Sequence, residues 1–386
     1  MDFVYFSLDY FHHTEKRVLF RTAAKIMTNR YQKQIILPEI GREGQISISA
    51  TSILVIGAGG LGCPALPYLA GAGFGQITIM DGDSIERGNL HRQILYKDSQ
   101  EGQNKAEAAA QYCRTLNPEI DVKAIPESLS AQNAQKIIQG HDIVLDGTDN
   151  FDAKFLINDV CVKNHIPLIL AAVQGWEGQC AVFAPHIAGG CYRCYLPDSP
   201  QNTVINCNES GVIGPLAGIL GCLQASEAIK LAANSNLDSL LSRLYFFDLR
   251  SIKTMIFDIP KNIECSICSK DRDRINISED KYAQNFTHSE IIEINDPVLE
   301  HAVFIDVRET EEWNAGHIKN AKHFPLSRLI NSPELFNDLT GQGPYVLYCQ
   351  KGIRSLQALR ILKSYGFSDL YSLACGYENW PRKNTS

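Results

Sequence analysis

The sequence predicts an α/β protein in two parts, a mostly parallel sheet covered by helices on both faces followed by a smaller α/β domain. Three observations predict it. Strand and helix signals alternate between residues 30 and 270, the rhythm of strand–helix–strand units whose sheet is parallel. The stretch ILVIGAGGLGCPALPYLAGAGFGQITIMDGD, residues 53 to 83, runs from an apolar strand through closely spaced glycines into a helix and on to a second strand. The polar, charged stretch SKDRDRINISEDKYAQN, residues 269 to 285, then interrupts the pattern before a shorter strand–helix alternation begins.

In chain order, residues 1–29 read as an N-terminal extension. They are aromatic-rich but broken by Asp2, Asp9, Glu15, Lys16 and Arg17, which leaves no apolar core for a signal peptide. Met27 stands just ahead of the first fold signal and fits an extension from an upstream start. Strands are expected at 52–56, 76–80, 121–125, 142–146 and 167–172, and helices at 61–72, 103–116, 130–139 and 151–164. A strand from Gln179 to Phe183 precedes a loop of Pro, Asn and Cys, and an apolar helix begins near Gly214. The expected organisation is therefore one domain over 30–270, a linker at 271–285 and a second domain over 286–386. In that second domain, strands VFIDV (303–307) and VLYC (346–349) alternate with helices around 310–315 and 354–364.

Composition narrows the partners. A net charge of −7 and a pI near 5.8 argue against a protein that grips nucleic acid by neutralising phosphates. No stretch approaches the ~20 apolar residues of a membrane span, so the expected place is the cytoplasm. Twelve cysteines in that compartment call for metal or thiol chemistry instead of disulfides.

Four motifs carry the chemistry. The first is the glycine loop, in which Gly57, Gly59 and Gly62 let the backbone approach phosphates and Asp81 ends the next strand, where an acid can hold ribose hydroxyls. Such loops serve NAD, FAD, ATP and S-adenosylmethionine alike. Downstream, GNLHRQ (88–93) and GQNKAE (102–107) add Asn89, Arg92 and Lys105. These cations suit a clamp on triphosphate and departing pyrophosphate, or they are surface charges. VLDGTDN (144–150) delivers Asp146 and Asp149 at a strand end. A carboxylate there can hold Mg²⁺ against phosphates, or cap the helix starting near Phe151.

The second motif pairs CYRC (191–194) with CSIC (265–268). Two such knuckles can close a tetrahedral zinc site from Cys191, Cys194, Cys265 and Cys268. The third is YCQKGIRS (348–355), where Cys349 ends a strand and Arg354 opens a helix, so the helix N-terminus favours a thiolate. The four residues between Cys349 and Arg354 are one fewer than a cysteine phosphatase uses, so the cradle suits a persulfide. Asp306, Arg308, Glu312 and His317 are expected to hold its scaffold. The fourth is Cys207, in the polar loop NTVINCNESGVIGP, a reactive thiol or a passive one. Cys63, Cys113, Cys161, Cys180, Cys222 and Cys375 sit among apolar or small residues and read as core.

RYQKQIILPEIG, GAGGLGCP, MDGDSIERGNLHRQ, GQNKAE, DGTDN, CYRC, GVIGPLAGILGCLQASEAIK and CSIC together resemble the MoeB/ThiF family, which is related to ubiquitin-activating enzymes and has a Rossmann-like sheet. Residues 286–386 resemble a rhodanese domain. The resemblance implies ATP-dependent adenylation of the C-terminal glycine of a small ubiquitin-like sulfur carrier ending in Gly-Gly. It implies a nucleotide site built from Gly57, Gly59, Gly60, Gly62, Asp81, Gly88, Asn89, Leu90, His91, Arg92, Lys105, Asp149 and Asn150, with Mg²⁺ at Asp149. It also implies sulfur transfer through Cys349 and Cys207, a cysteine desulfurase as a sulfur source, and a homodimer. In the family a basic residue of the RYxRQ motif reaches the partner's site; here that position is Lys33. The pathway it would serve is molybdopterin, thiamine, thiolated tRNA or cysteine formation. Two other readings compete on the residues alone: an NAD-dependent dehydrogenase with structural zinc, and an adenylating enzyme whose second domain only docks a sulfur donor.

Overall fold

The computed structural model describes residues 29–197, 211–278, 282, 291–292, 296–332, 336, 344–350 and 352–380. The chain divides into two compact units, 1–282 and 283–386, each with its own sheet.

The first unit starts with α1 (Gln32–Ile35), α2 (Gly41–Ala50) and β1 (Ser52–Ile56). It continues through α3 (Gly62–Ala72), β2 (Gln76–Met80), α4 (Lys105–Leu116), β3 (Asp121–Ile125), α5 (Ala131–Ile138), β4 (Ile143–Asp146), α6 (Phe151–Asn164) and β5 (Leu168–Gln174). β6 (Glu177–Phe183), α7 (Tyr192–Tyr195), α8 (Gly214–Ala232), β7 (Arg243–Asp248) and β8 (Lys253–Asp258) follow. All eight strands join one sheet in the order β3-β2-β1-β4-β5-β6-β7-β8. The pairs from β3 to β5 are parallel, and those from β5 to β8 antiparallel.

The strands and helices expected up to Phe183 are present, with ends shifted by no more than two residues. Side-chain caps set several helix starts: Asn104, Ser130 and Asn150 accept from the N–H of Glu107, Asn133 and Ala153 at 3.1, 3.4 and 2.8 Å. The unbroken apolar strands follow from burial on both faces. Ile53, Val55, Ile77 and Ile79 pack with Leu66, Leu69 and Cys113 of α3 and α4, while Leu54, Ile56, Val144 and Leu168 pack with Phe155 and Val160 of α6.

β7 and β8 had no assignment from the sequence. β8 is exposed at every residue, and its register against β7, from Arg243 opposite Asp258 to Asp248 opposite Lys253, defines it. Part of the expected linker is packed on the first unit instead. Ile275 is buried and its carbonyl accepts from Lys163 at 2.8 Å, while Tyr282 donates to Asp159 at 2.6 Å. Average composition hides these two anchors among the surrounding charges.

The second unit contains β9 (Ile291–Ile292), β10 (Val303–Asp306), α9 (Thr310–Asn314), β11 (Lys322–His323), α10 (Leu326–Asn331), β12 (Tyr345–Tyr348), α11 (Ile353–Ser364) and β13 (Leu370–Leu373). Its sheet runs β11-β10-β12-β13-β9 with every pair parallel. β9, β11 and β13 are additions to the expected pattern. Among the described residues, no helix of either unit is long and apolar enough to cross a membrane.

Candidate functional site

β1 lies between β2 and β4, so the chain leaves it in opposite directions and opens a crevice at the carboxyl ends of β1 and β4. Gly57 has φ +92°, and a methyl group there would meet the carbonyl of Gly147 at 2.8 Å. A methyl on Gly62 would meet Gly57 O at 2.1 Å. The loops after β1 and β4 thus touch backbone to backbone, and the start of α3, the positive end of its dipole, follows directly on the glycine loop. Asp81 braces the same loop: its Oδ2 accepts from Ala58 N–H at 2.7 Å and its Oδ1 from Asp83 N–H at 2.9 Å. Burial pushes its carboxyl above the usual range, opposed by those N–H groups and by Lys105.

The segment after Glu86 lies over the glycine loop one side chain at a time. Tyr96 donates to Ala58 O at 2.7 Å. Gln93 Nε2 is 3.6 Å from where a Gly59 methyl would stand, and Arg92 Cγ and Cδ are 3.6 Å from the same point on Gly60. The Arg92 guanidinium donates to Asn89 Oδ1 at 2.9 Å and approaches His91 Nε2 at 3.4 Å. His91 Nδ1 is 3.0 Å from Gly88 O, and Leu90 N–H closes the turn on Arg87 O at 3.2 Å. Lys105 donates to Asp83 at 2.8 Å with its side chain almost wholly covered. The start of α8 converges there too, since a methyl on Gly214 would meet His91 O at 2.5 Å.

The loop after β4 corrects one expectation. Asp146 is not available to a metal: it is fully buried, with Oδ1 accepting from Thr148 N–H at 2.8 Å and hydroxyl at 2.6 Å, and Oδ2 from Lys154 at 2.9 Å. Lys154, which sequence reading passed over, is the buried lysine of α6 and also donates to Ala171 O at 2.8 Å. Asn150 is the helix cap, whereas Asp149 is exposed and makes no hydrogen bond among the described residues. Lys33 stands apart from this crevice. Its helix α1 is tied by Gln34 to Ala72 O at 3.2 Å, at the far end of α3, about 16 Å of helix from the glycine loop.

The four cysteines come together as expected. Cys191, Cys194, Cys265 and Cys268 place their sulfurs within 4.8 Å of one another, with Cys191 to Cys265 at 3.7 Å and Cys194 to Cys268 at 3.4 Å. Zinc–sulfur bonds of about 2.3 Å in a tetrahedron separate the sulfurs by about 3.8 Å, so the cluster fits that ion. Of the cysteines read as core, Cys63, Cys113, Cys161 and Cys180 are buried, while Cys222 and Cys375 are half-buried. Cys207 lies outside the described residues.

In the second unit Cys349 is buried just past β12, and Gly352, at φ +87°, has Ala374 O where a methyl would reach 2.6 Å. Arg308 builds the scaffold. It donates to both oxygens of the buried Asp306 at 2.7 to 3.1 Å, to Gly316 O at 2.6 Å and to Gln350 at 3.2 Å, and lies 4.1 Å from the Tyr377 ring centre. Tyr377 N–H in turn donates to Cys349 O at 2.7 Å. Arg354 forks onto Glu312 at 2.6 and 2.7 Å, which pulls the Glu312 carboxyl below its usual range. His317 stacks on Trp313 at 3.5 Å.

Two family matches cover nearly all of this architecture. The ThiF family matches residues 31–267 and a rhodanese-like domain residues 289–383. The chain belongs to the ThiF family. Its relatives include adenylyltransferase and sulfurtransferase UBA4 of Saccharomyces cerevisiae, 36% identical over 90% of this chain and 87% of that protein. Adenylyltransferase and sulfurtransferase MOCS3-1 of Zea mays is 34% identical over 92% and 82%. The SAMP-activating enzyme E1 of Haloferax volcanii is 39% identical over 63% of this chain and 89% of its own. Sharing both domains with the first two over most of their length, the ThiF-family chain is an enzyme of the adenylyltransferase and sulfurtransferase type. The dehydrogenase reading falls with that match. The crystal structure of E. coli MccB with ATP aligns with a TM-score of 0.57 at 22% identity, over 68% of this chain and 84% of that one, a likeness of fold.

Proposed function

We propose that this enzyme adenylates the C-terminal glycine of a ubiquitin-like sulfur carrier and then converts it to a thiocarboxylate. One observation carries the reading: the glycine loop, Asp81, Arg92, Lys105 and Asp149 all belong to segments that meet at one crevice. The carrier's carboxylate attacks the α-phosphorus of ATP and pyrophosphate leaves, giving an acyl-adenylate. The glycine loop and the start of α3 receive phosphates, Asp81 keeps lone pairs for the ribose, and Arg92 with Lys105 balances charge on the leaving pyrophosphate. Asp149, exposed beside the crevice, would hold Mg²⁺, which neutralises phosphate charge when bound.

A persulfide on Cys349, loaded by a desulfurase or another sulfur donor, then attacks the acyl carbon and AMP leaves. The product is an acyl disulfide on Cys349. Attack by the Cys207 thiolate on the Cys349 sulfur releases the thiocarboxylate and leaves a Cys349–Cys207 disulfide, which a thiol reductant reopens. The four-cysteine cluster would hold zinc as a closed structural site, tying the segment after β6 to the end of the domain.

Lys33 supports a homodimer, because its own crevice lies at the other end of α3 and only a second copy could bring a crevice to it. Ile36 and Leu37, beside α1, and Tyr68, on α3, are apolar side chains 60%, 49% and 60% exposed, as a dimer contact would require. The cytoplasm suits a chain whose eleven described cysteines form no disulfide.

ATP–pyrophosphate exchange tests the reading directly. Exchange that requires a small carrier ending in Gly-Gly is expected. Absence of exchange with every such carrier would remove it.

A further inference from the structure

The turn over the glycine loop presents three side chains to three successive residues: Tyr96 to Ala58, Gln93 to Gly59 and Arg92 to Gly60. Two of the three heads are committed within the protein, Tyr96 to Ala58 O and Lys105 O, and Arg92 to Asn89. Gln93 differs. It is only 4% exposed, its Oε1 is buried without a hydrogen-bond partner, and its Nε2 donates to nothing among the described residues. Gln224 also leaves its Oε1 unmatched, yet its Nε2 is spent on Asp146 O and Ile169 O at 2.8 and 3.2 Å. A buried carboxamide with neither end satisfied is rare in a folded protein and asks for a partner. Packing does not account for it, since a methionine of almost the same shape would fill the space without desolvating an amide.

We infer that Gln93 is a nucleotide-binding residue, whose side-chain amide donates to a phosphate oxygen of ATP held over Gly59. This rests on the adenylation reading. Gln93 supplies something its cationic neighbours do not, a neutral donor of fixed direction. Arg92 and Lys105 supply positive charge, which answers the negative charge that leaves with pyrophosphate. A neutral amide anchored from within the fold holds its oxygen in place as that charge departs.

The test compares ATP with adenosine, each titrated calorimetrically into the wild-type chain, Gln93→Met and Gln93→Glu. A hydrogen bond to a charged group carries enough energy that its loss weakens binding about tenfold or more. Gln93→Met is expected to weaken ATP by that factor and leave adenosine unchanged, with Tm held or raised because a buried unsatisfied amide has gone. Gln93→Glu is expected to weaken ATP further, as a carboxylate would face phosphate. ATP binding unchanged in Gln93→Met, or ATP and adenosine weakened alike, would overturn the assignment and make Gln93 a packing residue. Wild-type chain that binds no ATP would instead overturn the adenylation reading, and this inference with it.

Discussion

The two sheets solve one problem in two ways. Each ends a strand with an aspartate buried from solvent, Asp146 on β4 and Asp306 on β10, and each aspartate accepts from the N–H two residues on, at 2.8 Å from Thr148 and 2.9 Å from Arg308. The cations that balance them differ. In the first unit Lys154 reaches back from α6 and gives a second hydrogen bond to the neighbouring strand, at Ala171 O. In the second, Arg308 lies in the loop itself and its fork continues to Gly316, Gln350 and the Tyr377 ring. A point charge anchors a loop to the sheet beneath it, whereas a planar fork ties several loops to one another. The nucleotide crevice thus rests on a fixed floor, while the loop carrying Cys349 hangs on a network.

The largest expected effect separates the two chemistries. Cys349→Ala should abolish thiocarboxylate formation and leave carrier-dependent ATP–pyrophosphate exchange at wild-type rate, both followed on the same preparation. If exchange fell too, the second unit would be a structural part of the first reaction. If neither changed, the proposed sulfur path would be gone.

Next in size is the floor of the crevice. Lys154→Met strands a buried carboxylate and should destabilise the first unit by about 3–5 kcal/mol, read by urea unfolding. Lys154→Arg keeps the charge and should recover part of that loss. An unaltered unfolding midpoint in Lys154→Met would mean that Asp146 is neutral in the fold and that the comparison with Asp306 fails.

Arg308→Lys tests the network by keeping the charge and removing the fork. It should destabilise the second unit by about 1–3 kcal/mol and slow sulfur transfer without touching exchange. Equal sulfur transfer in the variant would show that the ion pair alone suffices, as it does in the first unit.

The sequence made the scaffold legible where local pattern and burial agree. β1, β2, β4 and β5 are short, mostly apolar runs, β3 alternates buried and exposed residues, and α4, α5 and α6 begin at Asn and Ser caps. β8 was illegible because none of its residues is buried, so only pairing across the sheet defines it. The strands β9 and β11 have two residues each, too few for any alternation to appear. At the site, the motif residues were legible as a set, and the four cysteines by spacing alone. The role of Asp146 was missed, since the strand-end carboxylates were left open between a metal and a helix cap, and a buried cation is a third use that looks the same on paper. The distinguishing signal was Lys154, a single cation within FDAKFLINDVCV. Gln93 left no such signal, since an amide beside an arginine is ordinary until its burial is known.

The smallest expected effect concerns Glu312 and Arg354, whose side chains are 34% and 25% exposed. The hydrogen bonds from Arg354 lower the Glu312 carboxyl below its ordinary 4.5, so the folded state releases this proton more readily than the unfolded state. Its contribution to stability is therefore fully present above about pH 4.5 and disappears as pH falls through the lower, folded value. Because solvent reaches the pair, the contribution should be about 1 kcal/mol or less. Comparing Tm of the wild-type chain with that of Glu312→Gln across pH 7 to 3 should show a small gap that closes only at the acid end. A gap that widened toward acid would reverse the sign and place the proton on Glu312 in the fold. A gap much larger than this, comparable to that of Arg308→Lys, would mean that Arg354 and Glu312 belong to the buried network and that the loop around Cys349 hangs on two forks, not one.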